Sequence, residues 1–309
     1  MYAELSRVVA ITNGKGGVGK TSTTTACAGL AAAAGWKTLL IDTDPQGNCE
    51  DNLGYEEDSD KGEHLTEVLV NGGSLQPVLR DVRPNLDVVC GGMKLKGVEL
   101  QLLGKYMQNQ GSPVVLADAL APLATEYDVV FLDTPPYSPT ILHLDLVAAR
   151  WAVIPTAPDK SSIKGLSNLA PEIVNARNLN PYLEVLGALL FAVEKSAKVV
   201  RRDAAVRIEK ALGTAAPLFD TIIRHTTTTS VTARERGMLP HELAETVDNA
   251  EPFWKALQEG RPPTQIPGTA PALAEDYLLV CQEILQRIDQ REQQDELVSD
   301  ASTQQVGVL

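Results

Sequence analysis

The sequence predicts an α/β protein with a doubly wound, mostly parallel sheet flanked by helices. Three observations carry this prediction. Short apolar strands alternate with stretches of helical periodicity along most of the chain. Most of these strands are apolar on both faces, as strands covered by helices on both sides must be. The first of them runs straight into a glycine-rich loop that opens a helix.

The elements follow in chain order. Residues 7–12 read as a buried strand and residues 22–34 as an alanine-rich helix. Residues 37–42 form a short apolar strand ending in a carboxylate, and residues 86–90 form another. Helical periodicity returns at 97–108 and 114–126, and strands follow at 128–133 and 151–155. A helix at 163–177, a strand at 185–191, a helix at 199–212 and a strand at 218–223 continue the alternation. Past the last strand, residues 240–260 look helical, residues 261–267 are a proline-rich connector, and residues 271–288 carry the periodicity of a docked helix. From residue 290 the chain is polar and acidic and is expected to be disordered. The predicted organisation is one domain over residues 1–289, including a helical C-terminal part at 240–289, and a tail at 290–309.

Composition bounds the function. At 309 residues and 44% hydrophobic, the chain can bury one large α/β core without a second full domain. It contains no run of eighteen apolar residues and no basic-then-hydrophobic leader, so a cytoplasmic protein without membrane attachment is expected. Cys27, Cys49, Cys90 and Cys281 are widely spaced with no C-x-x-C pair, which argues against a disulfide framework or a zinc site. His64, His143, His225 and His241 show no metal-ligand spacing either. The formal net charge of −13 opposes general affinity for nucleic acid, so any such contact must be local.

The chemistry is concentrated in the loop after the first strand. Gly14 to Thr21, in Asn13-Gly-Lys-Gly-Gly-Val-Gly-Lys-Thr-Ser22, fit G-x-x-x-x-G-K-[ST], with Lys15 as an additional cation. Repeated glycines let the N–H groups of Gly14, Lys15, Gly16, Gly17, Val18 and Gly19 turn toward one anion, and the helix beginning near Lys20, Thr21 and Ser22 presents its positive end to the same place. Lys20 would reach the β- and γ-phosphates of a nucleoside triphosphate, and the Thr21 hydroxyl would coordinate Mg²⁺. Asp133 ends a strand and precedes Thr134-Pro135-Pro136, as expected of a carboxylate holding that ion. Asp42 and Asp44, in Leu39-Leu-Ile-Asp-Thr-Asp-Pro-Gln-Gly-Asn48, add an acidic pair. Carboxylates beside a phosphate repel it unless a metal or a proton transfer intervenes, so the set indicates magnesium and an oriented water.

Together these segments resemble the ParA/Soj-type partition ATPases, members of the deviant-Walker-A class of P-loop NTPases that also contains MinD and the nitrogenase iron protein. The matching pieces are Lys15 with Lys20, Leu40-Ile-Asp-Thr-Asp-Pro-Gln-Gly-Asn48, Phe131-Leu-Asp-Thr-Pro-Pro136 and, more loosely, Ile222-Ile-Arg224 and Ala233-Arg-Glu-Arg-Gly237. The resemblance implies a Mg²⁺-dependent ATPase that closes into an ATP-sandwiched homodimer, with Lys15 reaching the partner's nucleotide as a catalytic cation. It also implies that Asp44 positions or activates the attacking water, that Thr21, Asp42 and Asp133 surround Mg²⁺, and that Arg224 contacts the nucleotide.

The same resemblance implies a role in plasmid or chromosome partition: non-specific DNA binding in the ATP state, and stimulation by a ParB-like centromere-binding protein. Lys198, Arg201, Arg202, Arg224, Arg234 and Arg236 are the candidate DNA contacts, with a solvated basic helix face as the alternative for the first three. Only thirteen residues precede Gly14, so no N-terminal helix-turn-helix domain is expected. The polar, acidic ending of the chain lacks the basic amphipathic helix of the MinD branch. Two other readings stay open: positioning of a protein cargo without DNA contact and, more remotely, iron–sulfur electron transfer or cluster carriage, for which the cysteine spacing is unsuitable.

Overall fold

A computed structural model describes residues 2–136, 138–194, 198–213, 216–248, 255, 258, 260 and 267–306, with the backbone alone at 160, 163, 164, 198, 248 and 296–306. Eight strands form one sheet in the order β3-β4-β2-β5-β1-β6-β7-β8. Their ranges are β1 Val8–Ile11, β2 Thr38–Asp42, β3 Leu79–Arg83, β4 Leu86–Val89, β5 Val129–Asp133, β6 Trp151–Thr156, β7 Glu184–Val193 and β8 Leu218–Arg224. All neighbours are parallel except β3, which pairs antiparallel with β4. The chain fills one side of β1 through β5 and then crosses to the other side for β6, β7 and β8, so the strand order reverses at the centre of the sheet.

Period-two alternation builds two cores. Val8 and Ala10, Leu39 and Ile41, Val130 and Leu132, and Ala152 and Ile154 face one layer, while Val9, Ile11, Leu40, Phe131, Trp151 and Val153 face the other. The first layer is closed by helices α3 (Glu63–Asn71), α4 (Val98–Met107), α5 (Val115–Ala124), α6 (Pro139–Ala148), α7 (Lys160–Arg177) and α8 (Lys198–Leu212). The second is closed by α1 (Lys20–Ala33), α2 (Asn48–Leu53) and the C-terminal helix. Each fully buried Leu, Ile or Phe side chain on these faces contributes about 1.5–3 kcal/mol relative to exposure. Helices α9 (Thr227–Glu235) and α10 (Pro240–Asp248) complete the fold before the C-terminal helix, α11 (Ala270–Val306).

The α/β class, the parallel central strands and the flanking helices agree with the sequence-based expectation. Two differences have clear causes. β3 reads Leu-Arg-Asp-Val-Arg, a charged pattern that hides a strand because it lies at the sheet edge, where charge is tolerated and useful. The second concerns the last helix: α11 spans Ala270–Val306, longer than the 271–288 read from periodicity. Arg7 donates to Glu292 at 3.0 Å and Arg150 to Asp295 at 2.9 Å, tying its polar stretch to the body of the protein. The breaker-rich connector falls almost entirely outside the described residues, as does most of the expected helix beyond Asp248. Among the described residues, no helix is long and apolar enough to cross a membrane.

Candidate active site

Register brings the chemistry together. Asp133 at the end of β5 lies opposite Ile11 of β1 on one side and Asp42 of β2 on the other, so two carboxylates meet at the carboxyl edge of the sheet beside the loop that leaves β1. That loop is anchored at its start, where Asn13 Nδ2 donates to the Pro155 carbonyl at 2.8 Å and Asn13 Oδ1 accepts the Lys15 N–H at 2.9 Å. Gly17 and Gly19 turn it through left-handed conformations, with φ of 74° and 86°. A β-carbon at Gly19 would stand 2.2 Å from the Phe191 ring, so the position requires glycine twice over. Helix α1 then begins at Lys20 with its amino end toward the cleft.

A dense polar network follows. Thr21 Oγ1 donates to Asp133 Oδ2 at 2.7 Å, and Thr24 Oγ1 donates to Asp133 Oδ1 at 3.0 Å. Asp42 accepts from the Asp44 N–H at 2.9 Å and the Cys49 N–H at 3.3 Å, while Asp44 accepts from the Gln46 N–H at 2.9 Å. Thr43 donates to the Asp133 carbonyl, and its hydroxyl lies 2.9 Å from Asp145. Burial dominates the titration of these groups. It pushes Asp133 up to about 6 against hydrogen bonds from Thr21 and Thr24 and the charge of Lys20. Burial and the neighbouring Asp133 push Asp42 well above the carboxylate range. Burial also raises Asp44, opposed by the Gln46 N–H and Lys20, and it lowers the Lys20 ammonium against the pull of Asp133 and Asp44.

The donor set fits a hard divalent cation. The hard donors are the carboxylates of Asp42 and Asp133 and the Thr21 hydroxyl that reaches Asp133; Cys49 Sγ lies within 4.8 Å of both carboxylates but is a soft donor and does not belong to that set. The carboxylates depend on burial for their raised titration, so a cation beside them would relieve an unfavourable placement.

A cavity of about 580 Å³ opens from this edge. Its lining includes Gly16, Gly17, Gly19, Lys20, Thr21, Ser22 and Asp44 from the phosphate loop and the acidic edge, together with Phe191, Ile223, Arg224, Leu273 and Tyr277, a mixture of polar and apolar groups suited to a nucleotide. Gly14 lies outside the cavity lining, facing Gly165 of α7 so that an added β-carbon would stand 3.9 Å from the Gly165 carbonyl, and Val18 is buried. Ala192, in the cavity lining, has a φ of 58°, unusual for a residue with a side chain.

Arg224 lies in the cavity wall, but its guanidinium is clamped by Asp276 of α11 through contacts of 2.5 and 2.6 Å. The basic candidates do not share one contact set. Arg224 and Arg234 line the cavity, Arg201 donates to the Asp220 carbonyl at 2.9 Å, and Arg202 pairs with Asp203 at 3.8 Å. Arg236 caps the end of α9, donating its N–H to Thr232 and Ala233, and the Lys198 side chain lies outside the described residues.

Lys15 takes a course of its own. Its ammonium turns away from the cavity lining to Ser161 Oγ at 2.7 Å, Ser162 Oγ at 2.8 Å and Asp159 at 3.2 and 3.3 Å. Sequence reasoning missed Asp159, because it started α7 at residue 163; Pro-Asp-Lys-Ser-Ser was a readable N-cap signal three residues earlier. Asp276 and Asp145 had no such signal, since neither lies at a cap or in a motif: Asp276 follows Glu275 inside the expected C-terminal helix, and Asp145 is an isolated carboxylate in a segment that was not read as helix. Asp145 is fully buried, with Oδ1 lacking a hydrogen-bond partner, and burial drives its carboxyl upward against the Thr43 hydrogen bond.

Comparison with known proteins agrees with this geometry. Residues 6–185 match the family model described as AAA domain. The chain is 35% identical over 203 residues to the chromosome partitioning protein ParA of Myxococcus xanthus (strain DK1622), covering 65% of this chain and 70% of the relative. It is 32% identical over 188 residues to the sporulation initiation inhibitor protein Soj of Bacillus subtilis (strain 168), covering 60% and 72%. Among solved structures, cobyrinic acid a,c-diamide synthase from Mycobacterium smegmatis with bound ADP and magnesium superposes with a TM-score of 0.62 at 26% identity, over 84% of this chain and 99% of that one. A phosphate-loop edge of this form, matched over more than half the chain by partition proteins, has one reading: the chain belongs to the ParA/Soj-type family of P-loop partition ATPases.

Proposed function

We propose that this chain is an ATP-dependent dimerisation switch for DNA partition, hydrolysing ATP to ADP and phosphate with Mg²⁺. The observation that carries the reading is the division of labour between two lysines. Lys20 lines the cleft of its own chain, whereas Lys15 is directed out of it. One lysine suffices to cradle phosphates in cis, and a second cation is most useful on the nucleotide of another copy.

In this reading the N–H groups of residues 16–19 and the amino end of α1 bind the phosphates, the Lys15 N–H being held by Asn13, and Lys20 neutralises the β- and γ-oxygens. Thr21, Asp133 and Asp42 would hold a Mg²⁺ ion, whose charge would offset that of the phosphate oxygens. Asp44 orients a water toward the γ-phosphorus; a new P–O bond forms as the bond to the β-phosphate bridging oxygen breaks, and the water's proton passes to Asp44 or the released phosphate. Its burial-raised carboxyl is the better base for that transfer. Ile223 and Leu273, apolar residues of the cavity lining, would take the base.

The proposal includes non-specific DNA binding in the ATP state and stimulation by a ParB-like partner. One observation favours a second reading, the positioning of a protein cargo without DNA: Arg201, Arg202, Arg224 and Arg234 have separate contacts, in a chain of net charge −13. The iron–sulfur reading is weaker, since all four cysteines are free and buried and a cluster shared by two chains needs them at the surface. The deciding experiment is duplex binding with ATP, ADP or no nucleotide across a salt series. ATP-dependent binding that weakens steeply with salt supports partition, and no binding at low salt supports the cargo reading.

A further inference from the structure

Lys15 is held by a site built for it. An ammonium group has three N–H donors, and here they face two serine hydroxyls, at 2.7 and 2.8 Å, and a carboxylate at 3.2 Å. The same carboxylate caps α7: Asp159 Oδ1 accepts the N–H groups of Ser161 and Ser162, each at 2.9 Å. Both serine hydroxyls donate to Asp159, which leaves their oxygens free to accept from Lys15. The backbone on either side is fixed as well. Lys15 N–H is tied to Asn13, which is tied to Pro155, and Gly165 of α7 packs so closely that a β-carbon there would stand 3.4 Å from Lys15 Cβ.

Resting on the dimer reading above, we propose that Asp159, with Ser161 and Ser162, is a positioning site that latches Lys15 in cis and sets the threshold for ATP-driven dimerisation. A lysine whose three donors are engaged on its own α7 reaches a second nucleotide only by leaving them. The latch is weak enough to open, because Asp159 is 47% exposed and Lys15 28% exposed at the side chain. An ion pair of this exposure shifts an equilibrium by roughly threefold. Two latches open per dimer, so the effect on the dimer dissociation constant is about ninefold.

The test uses the full chain, Mg²⁺ and a non-hydrolysable ATP analogue, with the dimer dissociation constant read by sedimentation velocity. Asp159→Asn removes the charge but keeps an N-cap side chain of equal quality, so its melting temperature without nucleotide should match the parent. The expected result is dimerisation about ninefold tighter in Asp159→Asn, with a change in the same direction in Ser161→Ala/Ser162→Ala. In a Lys15→Gln background, Asp159→Asn should produce no tightening, since nothing is left to release. An unchanged or weaker dimer in both latch variants, or equal tightening with and without Lys15, overturns the latch alone. A parent chain that stays monomeric in the analogue overturns the dimer reading on which the latch rests.

Discussion

Replacing Asp276 with Ala tests whether the C-terminal helix is part of the nucleotide cleft or merely packed behind it. Asp276 is 4% exposed at the side chain and accepts from Arg224 N–H at 3.0 Å, Nε at 2.5 Å and a terminal nitrogen at 2.6 Å. Truncation leaves a guanidinium that is 19% exposed without its main partner, although Glu275 stands 3.7 Å away. Breaking a fully buried pair costs about 3–5 kcal/mol, and the partial exposure of Arg224 moves the expectation to about 3 kcal/mol. For 309 residues the melting entropy is about 0.65 kcal/mol/K, so the melting temperature should fall by about 4–5 °C. The freed Arg224 then gains an anion as its best remaining partner, and ATP should recover more stability in the variant than in the parent. Scanning calorimetry with and without ATP measures both effects. A shift below 1 °C, or the same ATP-induced gain in both proteins, would refute the reasoning.

Three further outcomes follow from the site. Asp44→Ala should bind ATP with affinity close to the parent while hydrolysis falls by about 10²–10⁴-fold, measured by equilibrium binding and phosphate release; turnover near the parent rate removes Asp44 from the mechanism. Asp133 has a folded pKa of about 6 against about 3.9 unfolded, so without nucleotide and metal the native state binds the proton more tightly. The associated stability is fully present below about pH 4 and is lost as pH rises to about 6; denaturant titrations should therefore show Asp133→Asn gaining on the parent across that window by roughly 2–3 kcal/mol. A constant difference would contradict the burial argument. Gly19→Ala should lose nucleotide binding, since its β-carbon meets the Phe191 ring and its φ of 86° disfavours a side chain; Gly35, also left-handed with φ of 91° but in open space, should tolerate alanine at a cost of about 1 kcal/mol.

Much of the fold was legible because the central strands are short, apolar on both faces and separated by helices of ordinary length. The meeting of the glycine-rich loop with Asp42 and Asp133 at one sheet edge was legible because the loop follows a strand and both carboxylates end strands. What escaped depended on contacts between distant segments. β3 is charged and becomes a strand only by pairing with β4 across a turn at Asn85, whose φ is 66°. The tail is polar, and its ties are to residues far away in sequence: Arg7 to Glu292, Arg150 to Asp295 and Glu184 to Arg291. The intramolecular partners of the basic candidates were not legible, because they lie far away in sequence. Folding sends Arg224 to Asp276 and Arg234 toward Asn52, while Arg201 remains on α8. Asp159 was within reach of a closer reading of the α7 N-cap, whereas its grip on Lys15 spans 144 residues.

The central claim is that Lys15 acts on the nucleotide of a second copy, and subunit complementation tests it most directly. Lys15→Gln keeps Asp44, and Asp44→Ala keeps Lys15; each alone should be inactive. Mixed in equal amounts, they form heterodimers in which one site holds an intact Asp44 and receives Lys15 from the other chain. If Lys15 works in trans, steady-state phosphate release from the mixture should rise to about a quarter of the parent rate. A mixture no more active than the two variants measured separately would contradict the account.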